Sequence, residues 1–498
     1  MKPALIRTLF GLTGTALLVA AGAWAQSQPA ARAPNSLIKG SASAAPKAGY
    51  PSLAATKKAY DESDLDRAIQ AYRFFYPSVS AAAIFKGNRA LGLVDNKVFG
   101  VQETKPHHVG FTLNSDTPYG PILLDLKQGP MVLEVPAAPL IVIAMDANQR
   151  WVADMGIPGP EQGKGAKHLI LPPDYEKAVP SGYHVWRSGT NHVIVGVRSL
   201  PLQGDVQGAL ARIKTVRVHP LQPPADWSQP EWIDLSDKPQ DTTPLAWERN
   251  LEFWRVLHEL IQQETPSAGD PNYFGELAAL GIAKGKPFAP DPRMKGILER
   301  AAKEANDRMR VQAFADRRPD RVVWPDRQWE WIGLVPSNGD FATYAYTDLE
   351  ARETWFYQAI GASPAMFRRT SGAGSLYWLA ARDAQSAYLD GGKTYKLVVP
   401  IPVPGKLFWS VTAYDAETRS QVNTDQGRAA LRSMFELQHL GANSGELYFG
   451  PTLPKGVPSE RWIKTVPGRG WFAYFRVYGP EPSAFDGTWK PGDLEPVK

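Results

Sequence analysis

Two long stretches of this chain alternate apolar and polar residues in short runs separated by Gly, Pro, Asn and Asp, and no other feature restricts its fold as strongly. Successive side chains on a strand point to opposite faces, so alternation with a period of two marks a strand that is half buried. The first stretch predicts strands at 97–102, 107–112, 119–125, 131–135, 140–146, 151–155, 168–171, 183–188, 192–197 and 215–218. The second predicts strands at 376–381, 394–400, 408–414, 446–449 and 471–478. Short strands at regular spacing, with turn residues between them, point to a sandwich or barrel rather than to parallel βαβ units.

Helical spacing takes over elsewhere. Ser63 can cap a helix ahead of Asp64 and Asp66, acids placed where the helix dipole favours them. Leu65, Ile69, Tyr72 and Tyr76 then form one apolar face. Pro77 is expected to break or kink that helix, with a second helical stretch from about Ser80 to Leu91. A short helix is expected at 206–214. After a Pro-rich boundary at 220–244, further helices are expected at 244–263, 273–280, 292–313 and 348–360. The chain reads as mainly β with an α insert. Its parts are a signal peptide at 1–25, a flexible linker at 26–58, an N-terminal helix with a first β lobe at 59–225, a helical region at 226–365 and a second β lobe at 366–498.

The first 25 residues have the form of an export signal. Lys2 and Arg7 supply a basic start, Leu9 to Ala21 an apolar core, and Ala23-Trp24-Ala25 a small-x-small cleavage site. Cleavage after Ala25 would deliver a periplasmic or secreted protein. The apolar run is shorter than the roughly 20 residues needed to span a bilayer, and no later segment is long and apolar enough to do so. Residues 26–55, rich in Ala, Pro, Ser and Lys, read as a tether. With no cysteine, disulfides, thiol nucleophiles and thiolate metal sites are excluded. Removing the cations Lys2 and Arg7 from the formal charge of +5 leaves +3, too weak an excess for nucleic acid as the main partner.

Particular residues carry a resemblance. In the first lobe they are Asn114-Ser115-Asp116-Thr117-Pro118-Tyr119, Leu124-Asp125-Leu126 and Gly129-Pro130-Met131-Val132. In the second they are Leu389-Asp390-Gly391, Tyr395-Lys396-Leu397, Phe408-Trp409-Ser410-Val411-Thr412, Tyr414-Asp415, Gly468-Arg469-Gly470-Trp471-Phe472 and Phe475-Arg476-Val477-Tyr478-Gly479-Pro480. Over nearly the whole mature length the chain resembles the paired bacterial families known as domains of unknown function 1254 and 1214. It departs from their pattern at Arg461, where an Asn often precedes the tryptophan, and at Asn443-Ser444-Gly445, which replaces an Asp-Gly-Ser turn. The resemblance implies two β-sandwich or jelly-roll-like lobes plus a helical region, and it implies no activity.

Familiar catalytic signatures are missing. Gly441 to Gly445 has its serine one place late for a nucleophile elbow, His258-Glu259 is followed by Gln262 where a zinc helix needs His, and Lys164 is followed by Gly165 where a phosphate loop needs Ser or Thr. His107 and His108, adjacent on a strand, should face opposite sides. His168, His184 and His192 lie on three successive expected strands and would converge on a metal only if their registers aligned. Neither a metal nor a cofactor is expected.

The segment from Asn114 to Tyr119 gathers an amide, a carboxylate, two hydroxyls and a phenol at a strand end, although Asn, Ser, Asp and Pro are also what a turn requires. Asp154 stands near Trp151, where burial could raise a carboxyl pKa. The expected site pairs Asp116 and Asp154 as catalytic acid and base, with Asn114, Thr117 and Tyr119 orienting a ligand and Trp151 walling it. In the second lobe Trp409, Tyr414, Asp415 and Arg476 form a comparable set, with Asp415 the expected partner of Arg476. These residues suit a small-molecule or saccharide-processing enzyme, a hydrolase of glycosidase-like type if the two carboxylates face each other within about 10 Å across an open cleft. The competing readings are a non-catalytic ligand-binding protein and an envelope interaction protein that docks through exposed sheet edges.

Overall fold

A computed structural model describes residues 49–241, 247–264, 269–334, 339–367, 369, 371–372, 374–441 and 443–497. The expected export signal, most of the expected tether and the expected helix start at Pro244 lie outside these residues. The fold is mainly β with a helical region, 28% strand and 27% helix. Residues 63–498 form one compact unit. Among the described residues no helix is long and apolar enough to cross a membrane.

The first helix differs from expectation at both ends of the argument. It starts at Leu53, because Ser52 and not Ser63 is its cap: Ser52 Oγ accepts from Ala55 N at 3.2 Å. It also runs unbroken to Ala90, with Pro77 in its interior. Proline removes one backbone donor and crowds the preceding turn, a cost of about 3 kcal/mol in an unsupported helix. Here side chains from other elements serve the disturbed turns, since Arg352 Nη1 donates to Phe74 O at 2.8 Å and Gln149 Nε2 donates to Pro77 O at 3.0 Å.

In the first lobe, strands Tyr119–Asp125, His192–Ser199, Leu140–Asp146 and Trp151–Gly156 form one antiparallel sheet in that spatial order. A second sheet orders Arg217–Pro220, Met131–Val135, Ala166–Leu171 and His184–Arg187. Both sheets contribute to one core, with Val142, Val195 and Val197 from the first and Leu133, Ile170 and Val218 from the second. The Pro-rich stretch is more than a boundary. Its strand Glu231–Asp234 returns to pair in parallel with Val98–Val101.

The second lobe repeats the principle. Strands Glu330–Trp331, Ser375–Ala380, Trp471–Pro480, Gly405–Asp415 and Ala430–Arg432 form a five-stranded sheet, and Trp462–Lys464, Ser444–Gly450, Tyr395–Pro400 and Leu494–Pro496 a four-stranded one. Their shared core includes Trp378, Val411, Phe475, Leu397 and Leu447. The helices Glu252–Gln263, Pro292–Phe314 and Leu349–Gln358 pack with the long helix in a third core through Trp254, Leu298, Met309, Trp355 and Tyr72.

Candidate functional site

Each lobe has one sheet whose other face would meet water if the lobe stood alone. In this protein those two faces line a common cavity of about 760 Å³. Alternation decides which residues reach it. On His192–Ser199, Val193, Val195 and Val197 enter the core while Ile194, Gly196 and Arg198 take the opposite face. On Trp471–Pro480, Trp471, Ala473, Phe475 and Val477 enter the core, and Tyr474, Arg476 and Tyr478 line the cavity. Strand register then sets neighbours side by side: Tyr119 opposite Arg198 and Arg198 opposite Ile141 in the first lobe, Tyr377 opposite Arg476 in the second.

Polar groups collect at one end of this cavity. Arg198 Nε donates to Thr117 Oγ1 at 2.8 Å, and its Nη2 donates to Tyr478 OH at 3.1 Å and Asn114 Oδ1 at 3.4 Å. Arg476, 2% exposed, donates through Nη2 to Tyr414 OH at 2.8 Å and Thr112 O at 3.0 Å, and through Nη1 to Thr412 Oγ1 at 3.1 Å. Its charge lies near the rings of Tyr377, Tyr414 and Tyr474, 5.1 to 5.6 Å from their centroids. Neither guanidinium forms an ion pair among the described residues. Burial pushes the Tyr119 phenol up and that of Tyr414 above its ordinary range, so both rings stay neutral and keep their protons. The rest of the wall is largely apolar, with Ile141, Ile143, Met145, Ile194, Trp355 and Ile360 prominent.

The expected site residues divide by position. Asn114, Tyr119, Trp151, Asp154 and Arg476 line the cavity. Thr117 stands directly behind it on Arg198. Asp116 is fully buried and does not line the cavity: its own backbone N donates to Asn114 Oδ1 at 3.0 Å in a tight turn, and its Oδ2 accepts from Tyr478 OH and Ser410 Oγ, each at 3.0 Å. Asp154 sits on the first lobe's sheet opposite Ile143, with Ala365 N 3.4 Å from its Oδ2. Two strand spacings and a two-residue offset place its Cα about 12 Å from that of Arg198.

Three expectations for individual residues need correction. Asp415 is not the partner of Arg476. It pairs with Arg469, whose Nε and Nη2 both reach it at 2.7 Å, because residues 409, 411, 413 and 415 share the face opposite to Arg476's neighbours Ser410, Thr412 and Tyr414. Trp409 belongs to the same core-directed face and stacks on Phe475 with centroids 5.5 Å apart, away from the cavity. His107 and His108 do not diverge: their rings lie 4.3 Å apart, and their Nε2 atoms meet the successive carbonyls of Ser236 and Leu235, since His107 lies in the turn before the short strand His108–Val109. Tyr414 is buried and accepts a hydrogen bond from Arg476.

The histidine trio separates as well. His168 lies 5.2 Å from the His184 ring and 3.2 Å from Glu161 Oε1, whereas His192 Nδ1 contacts Glu264. Among the described residues no group of three or more potential ligands is arranged to hold a metal.

Arg198, Tyr377 and Tyr478 are site residues that sequence reasoning missed. Arg198 carried the same signal that singled out Arg476, a lone cation on an otherwise apolar strand. Tyr478 and Tyr377 had none, because tyrosine fits either face of a strand.

Comparison with curated proteins gives no match. Among solved structures, the chain is similar to the VPA0106 protein from Vibrio parahaemolyticus, with a TM-score of 0.54 and 18% identity over 87% of this chain and 100% of that one, a likeness of fold. An uncharacterized protein from Burkholderia cenocepacia aligns with a TM-score of 0.37 and 13% identity over 90% of this chain and 98% of that one. Residues 98–220, which supply the first cavity-lining sheet, match the model described as protein of unknown function DUF1254, and residues 374–482, which supply Tyr377, Arg476 and Tyr478, match that of DUF1214. The first lobe therefore carries the DUF1254 domain and the second the DUF1214 domain, in that order along the chain.

Proposed function

We propose that this is an exported binding protein whose cavity holds one small molecule with a largely apolar body. The observation that carries the reading is the cavity itself: about 760 Å³, within the 300–1,000 Å³ usual for small-molecule sites, apolar over most of its wall and polar at one end. Gly196 supports it. Glycine is a poor residue inside a strand, and a Cβ there would meet only Ile143 Cγ2 at 3.5 Å, so a side chain would project into open space.

The test uses the neutral fluorophore N-phenyl-1-naphthylamine, which brightens in apolar surroundings. The wild-type protein should enhance its emission saturably, and Gly196→Leu, with an unchanged circular dichroism spectrum, should lose most of that signal. No saturable enhancement by the wild type, or equal enhancement by Gly196→Leu, would overturn the reading.

An enzymatic reading draws support from one arrangement. Tyr478 lines the cavity and donates to Asp116, while Asp154 lines the same cavity from the first lobe. Acid–base chemistry by these carboxylates would then pass to Asp116 through the Tyr478 hydroxyl, instead of by direct contact. Incubating a captured ligand with protein and following its mass distinguishes the two: conversion by wild type and none by Asp116→Asn supports catalysis, and conversion unchanged in the variant refutes that role.

A further inference from the structure

The donors at the polar end of the cavity outnumber its acceptors, and the difference has a sign. Of the five N–H groups on each guanidinium, those on Arg198 Nη1 meet no acceptor among the described residues, and Arg476 Nε is buried with no partner. Tyr119 OH likewise meets none, and Tyr377 OH accepts from Ser375 Oγ at 2.6 Å, which leaves its own proton to donate. Of the nearby acceptors, Asp116 Oδ1 and Gln102 Oε1 are buried without a partner among the described residues, fewer than the unmet donors, and the others are already used. Asn114 Oδ1 takes Arg198 and the Asp116 amide, and Tyr478 OH takes Arg198 and gives its proton to Asp116.

Charge points the same way. Two guanidiniums share this end with a single carboxylate, Asp116, whose Oδ2 is bonded to hydroxyls rather than to either arginine, while Asp154 stands about 12 Å away along the wall. A net positive charge enclosed by apolar walls is costly unless an anion joins it. A small inorganic anion would satisfy the donors and leave most of the cavity, with Ile143, Met145, Ile194 and Trp355 on its wall, unfilled.

We infer that the guest is an amphipathic organic anion, its carboxylate or sulfonate seated between Arg198 and Arg476 and its apolar body lying along Gly196, Ile143 and Met145. Tyr119 and Tyr377 complete the headgroup site as hydroxyl donors. The inference rests on the cavity being a ligand site, and its test is chosen to fail separately from that reading.

N-phenyl-1-naphthylamine bound to the full mature protein is displaced with decanoate, decanesulfonate and the neutral 1-decanol. Charge-assisted hydrogen bonds predict that the two anions displace the probe at concentrations about 10- to 100-fold lower than the alcohol. Arg198→Met should remove most of that preference, read as the ratio of alcohol to anion concentrations needed for displacement, and Arg198→Lys, which keeps the charge without the fork, should retain part of it. Equal displacement by anion and alcohol in the wild type would overturn the inference and leave the cavity reading standing. A full preference persisting in Arg198→Met would overturn the assignment of the headgroup to this end. Failure of the probe to bind at all would instead remove the cavity reading on which the inference depends.

Discussion

Replacing Asp146 by Asn should flatten part of the pH dependence of stability. Asp146 closes the hairpin between Leu140–Asp146 and Trp151–Gly156, where its Oδ1 accepts from Asn148 N at 2.8 Å and Arg150 N at 2.9 Å. Its side chain is 1% exposed, and burial is the largest influence on it, outweighing Arg150 and the two backbone donors and pushing its pKa from 3.8 up to about 6. A carboxyl raised on folding binds its proton more tightly in the native state. Its contribution is therefore fully present below pH 3.8 and is lost as pH climbs through 6. A rise of 2.2 units corresponds to about 3 kcal/mol, of which about 2 kcal/mol develops between pH 4 and pH 7. Asn keeps an acceptor for both backbone amides and does not titrate. In urea unfolding followed by tryptophan fluorescence at pH 4, 5, 6 and 7, the stability of Asp146→Asn relative to wild type should rise by ~2 kcal/mol across the series. A difference that stays level within about 0.5 kcal/mol would show that burial does not govern this carboxyl.

Two further substitutions separate structural charges from the site. Arg419, fully buried with φ of +55°, bonds Glu248 beneath Tyr76 and lies 4.5 Å from the Phe111 ring centroid. Arg419→Met should cost about 3–5 kcal/mol by stranding Glu248, and the double variant with Glu248→Gln should be more stable than the single one; a double variant less stable than Arg419→Met would refute the ion-pair account. Asp415→Asn should lower stability by about 1–2 kcal/mol through loss of the Arg469 pairing and leave probe affinity within twofold. A larger loss of affinity would return Asp415 to the site.

Alternation made individual strands legible: the ranges read for Tyr119–Asp125, Met131–Val135 and Leu140–Asp146 coincide with those observed. Helix limits were less so, because Ser52 and Ser63 are equally good caps by composition, and only the donors that Arg352 and Gln149 bring to the carbonyls around Pro77 show why it is tolerated. The site was legible where the polar residue stood out locally, as Asn114, Tyr119 and Arg476 did. It was misread where a choice of face mattered: adjacent residues such as Tyr414 and Asp415 point to opposite sides of one sheet, so grouping them by nearness in sequence joined a buried partner of Arg476 to a separate ion pair with Arg469.

Local chemistry by itself determined that this chain makes two sets of short strands around a helical region, that it has no thiol chemistry, and which two families it carries. Only the tertiary structure decided that the outward faces of two sheets enclose a shared cavity, that Arg198 joins Arg476 across some 280 residues of chain on the wall of that cavity, and that Asp116 turns away from it. The reason is physical. A period of two specifies that a strand has two faces and which residues share each, but what covers a face is set by packing between segments distant in sequence, and no local periodicity encodes that partner.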